Sequence, residues 1–357
     1  MVTLDDVAVR AGVSRMTASN VMRDRPIVKP ETAERVRKAA AELGYRPNLA
    51  ARQLSSGRTG IIGLSVADLD MIFPAALAAT LSDEATRRGY QLITQQTRMS
   101  ADYERAMMGS ASTQVCDGTI VCWPTRDSAD ALAAAPQSHP TVVFDGFGLD
   151  GRVDCVFTPC VEGSRAAVQH MIESGARRVL VLGTVFRTAD ELAESATMSA
   201  DLRLLGAIEA LQEAGLPYEP SSVIPCGWTR QSGYEAMTRL LAQRETVTDV
   251  LDFDAVFCMA DTVAIGVLKA LTDAGIRVPD DVLVMGFDGV EDGRYMNPGL
   301  SSVFINPAEV AQVCLDMLAD RIDARPTGRS AVTVSTGAGP RTHMLAYRIL
   351  ARGSAER

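Results

Sequence analysis

Between Thr3 and Gly12 the chain carries both a helix start and a helix stop, and a second start follows at Ser14. The Thr3 hydroxyl can accept from free N–H groups of a first turn while Asp6, three residues on, answers from inside it. Leu4, Val7, Ala8 and Ala11 recur at helical spacing, and Gly12 supplies the left-handed backbone that ends a helix in a tight turn. Ser14 caps a second helix, over Met16 to Met22. Two short helices joined by a Gly-containing turn give the helix-turn-helix outline. Val13, Ala18 and Val21 face inward on this reading. Arg15, Met16, Thr17, Ser19 and Asn20 lie on the outer side or at the exposed N-terminal end, where such a helix meets base edges in the major groove. A third helix follows Pro30, which suits a first turn, and carries Ala33, Val36, Ala40 and Leu43 before Gly44 closes it. Tyr45-Arg46-Pro47-Asn48 then breaks the helix, and Asn48 can cap a fresh one. Leu49 to Ser56 is helix-compatible but too short to be stable by itself, as expected of a hinge that folds on DNA.

At 357 residues the chain is too long for one small domain and fits a headpiece plus a large, divided sensor. The net charge of −9 argues by itself against nucleic acid, yet residues 1–58 hold eleven basic and six acidic side chains, a local +5 that leaves −14 for the remainder. A basic headpiece on an acidic body contacts phosphates while the body resists non-specific adhesion. Seven cysteines, at 116, 122, 155, 160, 226, 258 and 314, form no CxxC pair and read as reduced core residues. Asp5 and Asp6 stand where a signal peptide needs positive charge, and no apolar run approaches membrane-spanning length, so a cytoplasmic protein is expected.

From Thr59 the rhythm becomes strand then helix. Ile61 to Val66, Gln91 to Thr94, Gly118 to Cys122 and Thr141 to Phe144 are short apolar strands, separated by helical patterns such as Ala75 to Arg88 and Tyr103 to Ser110. A second set comprises Val179 to Leu182, Val223 to Pro225, Ala255 to Met259 and Val282 to Gly286, with helices at Asp201 to Ala214 and Thr262 to Ala274. The pattern predicts two doubly wound parallel-sheet lobes, an α/β sensor behind an all-α headpiece. Ligands of such sheets bind beyond the carboxyl ends of the strands, which makes the cleft between lobes the expected effector site.

The ordered string "TLDDVAVRAGVS…TASNVM…ELGYRPNLAARQLSSGRTGIIGL" resembles the lactose repressor and galactose repressor (LacI/GalR-type) family. The resemblance continues through a periplasmic-binding-protein-like sensor and covers nearly the whole chain. It implies a headpiece with hinge over 1–57, the hinge helix at 48–56, and a ligand-binding and dimerisation domain over 58–357. The first lobe would take about 58–160 and 305–331, the second about 161–304 and 332–357. It places Thr3, Ser14, Arg15, Met16, Thr17, Ser19, Asn20, Tyr45, Asn48 and Leu54 among the DNA contacts, Leu54 as the apolar wedge that bends DNA from the minor groove. "DLRLLGAIEALQEAG" puts Arg203 where a family Arg grips a ligand hydroxyl or carboxylate, "CGWTRQSGYEAM" presents Trp228, and "VLVMGFDG" ends in Asp288 as a hydroxyl acceptor. Phe73 joins the same ligand set. Asp261 belongs to it second, being first an N-cap for the helix that follows.

Several positions depart from the family. Asn20 stands where Arg is usual and Ala18 where Val is usual; Asn grips adenine whereas Arg favours guanine, so the half-site differs. Lys29 replaces a capping Ser. Ala260 replaces an Asn, and Pro159-Cys160 replaces Asp-Asn, which removes polar groups from the ligand set. The resemblance implies a dimeric repressor of a palindromic operator, controlled by a sugar or sugar-like effector without cofactor or metal. With five residues after Arg352 there is no room for a tetramerising heptad tail. A nucleobase-like corepressor is the alternative ligand. The rival from another class is a two-lobed sugar- or nucleotide-processing enzyme. Against it, the chain has no Walker-type loop, G-x-S-x-G, H-E-x-x-H or GxGxxG after the first strand, and His139, His170 and His343 lie far apart. A transporter's solute-binding protein would lack the headpiece.

Overall fold

Caps decide the headpiece. In the computed structural model, which describes residues 2–22, 27–45, 58–110, 115–134, 139–243, 251–325 and 339–357, the Thr3 hydroxyl accepts from Asp6 N–H at 3.3 Å and the Asp6 carboxylate accepts from Thr3 N–H at 2.8 Å. Helix α1 (Leu4–Ala11) starts there and ends on Gly12 at φ +65°. The Ser14 hydroxyl accepts from Thr17 N–H at 3.1 Å and opens α2 (Arg15–Met22). Pro30 opens α3 (Pro30–Glu42), whose Lys29 cap makes no side-chain hydrogen bond, as the loss of the family Ser implies. Leu43 is the C-cap rather than a helical residue. Val7, Ala8, Ala18, Val21, Val36 and Ala40 form the shared core, with Leu4, Val13, Leu43 and Tyr45 packed around it. The expected hinge, with Asn48 and Leu54, lies outside the described residues.

The chain divides into compact units after Thr59. In the body, strands β1 (Ile61–Val66), β2 (Gln91–Gln96), β3 (Gly118–Cys122), β4 (Thr141–Phe144) and β5 (Asp154–Phe157) are parallel, in spatial order β5-β4-β3-β1-β2. Alternation along each strand separates two faces. Ile62, Leu64, Ile120 and Val142 meet α4 (Ile72–Arg87) and α12 (Pro307–Asp323); Val121, Val143 and Cys155 meet α5 (Ala101–Met108) and α6 (Ala129–Ala134). The α4 pattern begins before the expected Ala75 because Pro74 sits in the first turn, where its missing N–H costs nothing. β2 runs on to Gln96 as an exposed, polar edge strand.

The second sheet runs β10-β9-β8-β6-β7, from β6 (Val179–Leu182), β7 (Val223–Ile224), β8 (Ala255–Cys258), β9 (Leu283–Asp288) and β10 (Ser301–Ile305), all parallel. Helices α7 (Cys160–Glu173) and α9 (Ser199–Glu213) pair on one face, α10 (Arg230–Leu241) and α11 (Asp261–Asp273) on the other; α8 (Ala189–Ser195) precedes α9.

Among the described residues the chain passes between lobes after β5, after β10, and once more near the end. The last passage corrects the expected boundary at 331/332. β11 (Thr342–Met344) pairs parallel with β5 in the first sheet, and only β12 (Tyr347–Leu350) joins the second, antiparallel to β10. Charge holds β11 in place. Asp154, buried, accepts from Arg341 N–H at 2.8 Å and from the Arg321 and Arg341 guanidinium groups at 2.7 and 2.9 Å, which keeps its carboxyl below the usual range against the opposing effect of burial.

Candidate DNA-reading helix and effector cleft

On α2, Arg15 and Met16 project from the headpiece, Met16 with 73% of its surface exposed. Thr17, Ser19 and Asn20 are half-buried beside them, while Ala18 and Val21 point into the core. The arrangement offers hydroxyls, an amide, a thioether and a guanidinium along one helix face. The Arg15 guanidinium lies 3.4 Å from Asp5, an exposed pair worth little in water and easily exchanged for a phosphate. Thr3 and Ser14 use their hydroxyls as caps, and Tyr45 packs against the headpiece core.

In the body, the two sheets bring their carboxyl ends toward a common region around Arg203. This side chain springs from α9 and is 97% buried, its surface exposure being 3%. Its Nη1 donates to the Met259 carbonyl, just past β8, and its Nη2 to Asp288, at the end of β9, at 3.2 Å. The guanidinium carbon sits 3.6 Å from the centre of the Phe287 ring and 5.1 Å from that of Trp228, cation–π contacts of about 0.5–2 kcal/mol each. Trp228 Nε1 donates to the Gly183 carbonyl at 2.7 Å, which locks its ring. The Arg203 Nε is buried without a partner. An unmet buried donor costs on the order of 1–3 kcal/mol.

The first lobe contributes Asp145, which immediately follows β4. It accepts from Trp123 Nε1 at 3.1 Å, from Thr158 N–H at 2.7 Å and from the Thr158 hydroxyl at 2.9 Å. Thr158 lies on the first passage between lobes, so Asp145 clamps that passage while its charge faces Arg203. Trp123 stands edge-on to Phe73 and Phe144, at 6.0 and 5.2 Å between centroids. Cys160 Sγ is 3.1 Å from the Thr158 hydroxyl and beside Arg203; burial pushes its thiol up to about 11 although the Arg203 charge pulls the other way.

Burial raises Asp288 to about 6 against the pull of Arg203, and burial also raises Asp145 against the hydrogen bonds from Thr158. Trp123, Asp145 and Asp288 all hold positive φ (52°, 53° and 114°), a region unfavourable for residues with a side chain. Strain of this kind concentrates where function over-determines the backbone.

Of the expected ligand residues, Arg203, Trp228 and Asp288 come together. Phe73 is buried against the edge of Trp123 in the first lobe and makes no ring contact with the Arg203 group. Asp261 is a correction: Ala260 is the N-cap, and Asp261 is the first residue of α11, with no exposed surface. Its carboxylate accepts from Ser302 Oγ at 2.6 Å and from Val290 N–H at 2.7 Å, holding the turn that follows Asp288. A carboxylate at the first helical position can serve a neighbouring strand as readily as its own helix, and Gly286 leaves the room for it, since a Cβ there would lie 2.1 Å from the Asp261 oxygen. Trp123, Asp145, Thr158 and Phe287 were not singled out from sequence. A polar or aromatic residue directly after an apolar strand was the available signal. Among the described residues no helix is long and apolar enough to cross a membrane.

Comparison with known proteins agrees with this geometry. Residues 3–48 match the model of bacterial regulatory proteins, lacI family, and residues 168–342 a periplasmic binding protein-like domain. The HTH-type transcriptional repressor PurR of Haemophilus influenzae (strain PittEE) is 30% identical over 331 residues, 92% of this chain and 93% of that protein. A transcriptional regulator CelR–cellobiose complex superposes with a TM-score of 0.67 at 28% identity, covering 99% of this chain and all of the other. A LacI-family regulator structure from Sanguibacter keddieii gives 0.69 at 33% identity over 84% of this chain and 99% of that one.

Proposed function

Because the chain belongs to the lacI family of bacterial regulatory proteins, we propose that it is a cytoplasmic transcriptional repressor that binds a palindromic operator as a dimer and answers to a small effector between its lobes. Each α2 enters a major groove, reading through Arg15, Met16, Thr17, Ser19 and Asn20, while paired hinges bend the central step through Leu54. The dimer forms through first-lobe helices including α4. No catalytic role is assigned.

The observation that carries the effector site is the unpartnered Nε of a buried Arg203, set between Asp288 and aromatic faces. A ligand there supplies an acceptor to Arg203 and a donor to Asp288, and lays an apolar face on Trp228. A sugar or sugar derivative has this chemistry, and the CelR relative is bound to cellobiose. A second reading, a flat nucleobase-like corepressor, draws support from the aromatic walls and from Ala260 and Cys160 standing in place of polar groups.

Ligand acts by shifting lobe closure. The hinge is too short to be stable alone, so separating the paired hinges costs their folding and releases DNA; the opposite coupling makes a corepressor. Operator selection from random duplexes, repeated with sugars, nucleosides and nucleobases, tests the scheme. A palindrome erased by one sugar supports an inducible repressor; one that emerges only with a nucleobase supports the second reading; no enriched sequence under any condition overturns both. Leu54→Ala tests the wedge: operator affinity should fall far more than non-specific affinity, and equal loss on both rejects it.

A further inference from the structure

The connection from β6 to α9, residues 183–198, is long for a strand-to-helix loop, which in such sheets takes about 2–6 residues. It carries a helix of its own, α8, opened by a capping box between Thr188 and Glu191. Several contacts brace it. Leu192 is fully buried in the core, the Tyr218 hydroxyl donates to the Arg187 carbonyl at 2.7 Å, and Phe186 stacks on Tyr218 at 5.1 Å between centroids. The Arg187 guanidinium lies 3.1 Å from Asp201 and donates to Ser195 Oγ. An added segment fixed this firmly at the carboxyl end of a strand is a wall, not slack chain.

Its far end reaches the first lobe. Thr197 lines, with the loops after β3 and β4, a crevice of about 380 Å³, a size that suits part of a ligand. A Cβ placed on Gly148 would lie 3.7 Å from Thr197 Cγ2. The crevice adjoins the effector cleft: Pro124 directly follows Trp123, and Gly146 directly follows Asp145. Thr197 stands two residues before α9, and Arg203 lies about 6 Å along that helix from Ser199, at about 1.5 Å per residue. The lining is mixed. Pro124 and Phe147, both half-buried, offer apolar surface, Phe147 held by stacking on Phe157 at 4.9 Å. Around them stand the exposed Arg126 and Asp127 and the half-buried Thr197. Among the described residues no hydrogen bond or ion pair engages the Arg126 guanidinium, the Asp127 carboxylate or the Thr197 hydroxyl.

We propose that this crevice is an outer subsite that takes the second ring of a disaccharide whose first ring occupies the cleft at Arg203. The proposal rests on the sugar reading of the cleft and specifies the size of its ligand. A pyranose matches the lining: its apolar face lies on Phe147 and Pro124, while its hydroxyls donate to Asp127 and accept from Arg126. A ligand that reaches Thr197 and the loops after β3 and β4 touches both lobes, so its second ring contributes directly to lobe closure.

Titration calorimetry of the full-length chain with cellobiose, maltose, lactose and sucrose, and with glucose, galactose and fructose, tests it. One of the disaccharides is expected to bind saturably and at least tenfold more tightly than either of its own monosaccharides. The double variant Arg126→Ala/Asp127→Ala, at exposed positions, should bring that preference to within threefold of unity, and Thr197→Trp should fill the crevice and do the same. Arg203→Ala should abolish binding of both sizes of sugar. Thermal melting of each variant reports its folding, and the double variant alone decides if Thr197→Trp does not fold. A monosaccharide that binds through Arg203, with no disaccharide bound more tightly, overturns the outer subsite and leaves the cleft reading standing; saturable binding of no sugar overturns both. Disaccharide binding that survives Arg203→Ala, or a preference unchanged in the double variant, also overturns the proposal.

Discussion

Arg203 and Asp288 face each other at 3.2 Å in a setting where both are almost fully buried, and the arginine spends a second nitrogen on the Met259 carbonyl while its flat face rests on Phe287. Three contacts made at once by one planar fork cannot be reproduced by an ammonium. Arg203→Lys should therefore weaken the effector at least tenfold, about 1.4 kcal/mol, while operator affinity without effector stays within twofold. Fluorescence titration of effector and operator on the same preparation separates the two. Retention of effector affinity in the lysine variant would remove Arg203 from the site.

The pair also implies a pH response. Asp288 is held up to about 6 by burial, against the pull of Arg203. Below that pH it takes a proton and loses its charge, so it accepts hydroxyl hydrogens more weakly. Affinity for a neutral, hydroxyl-bearing effector should fall as pH drops from 7.5 to 5, with its midpoint near 6. Asp288→Asn should bind more weakly at pH 7.5 and show a flat profile over the same span. An undiminished inflection in the asparagine variant would assign the titration to another group, Asp145 and Asp261 being the buried carboxyls that share charge with Asp288.

Asp145 shows why part of the site was hidden in the sequence. The strands themselves were legible, because runs such as Ile61–Val66 and Gly118–Cys122 are apolar and bounded by turns, and a fully buried parallel strand leaves that trace. Arg203, Trp228 and Asp288 were singled out through resemblance, and the fold brings the three side chains together. Trp123 and Asp145 were not, since each is one residue past a strand and its role depends on a partner far along the chain, Thr158 for Asp145. The boundary near 331 failed for a related reason: β11 joins the first sheet through Asp154, which also collects Arg321 and Arg341. Trp123→Phe tests the hidden pair. It keeps the ring against Phe73 and Phe144 and deletes one hydrogen bond to Asp145, so it should cost about 1 kcal/mol of stability in a denaturant titration and alter the effector response through the lobe passage. An unchanged response would leave Trp123 as packing alone.

Asp261 yields an opposite kind of prediction, a substitution that stabilises. Its carboxyl is raised well above the ordinary value of 3.8 by burial first and then by the charge of Asp288. A raised native pKa means that the folded protein holds a proton that the unfolded chain gives up, so stability declines as pH rises above about 4. Asparagine keeps an acceptor for Val290 N–H, and the Ser302 hydroxyl can turn to accept from its amide. Asp261→Asn should therefore gain stability over the parent chain as pH rises from 4 to 7, with effector affinity unchanged. Urea titrations at the two pH values give the sign directly, and a constant difference between them would count against a buried charge at Asp261.

The headpiece allows a change of specificity to be predicted without a change of fold. Asn20 is half-buried on α2, one turn from the exposed Met16, and neither belongs to the Val7–Ala18–Val36 core. An Asn amide pairs with the N6 and N7 edge of adenine, whereas an Arg fork pairs with O6 and N7 of guanine, each worth about 1–3 kcal/mol against the wrong base. Asn20→Arg should move the preferred base at one symmetric pair of operator positions from adenine to guanine, leave the other positions as they were, and raise the salt dependence of binding through its added charge. Asn20→Ala should flatten preference at that same pair and nowhere else. Sequencing of selected duplexes for the three proteins reads this out, and preference that shifts uniformly across the half-site, or not at all, would place Asn20 outside the base-reading set.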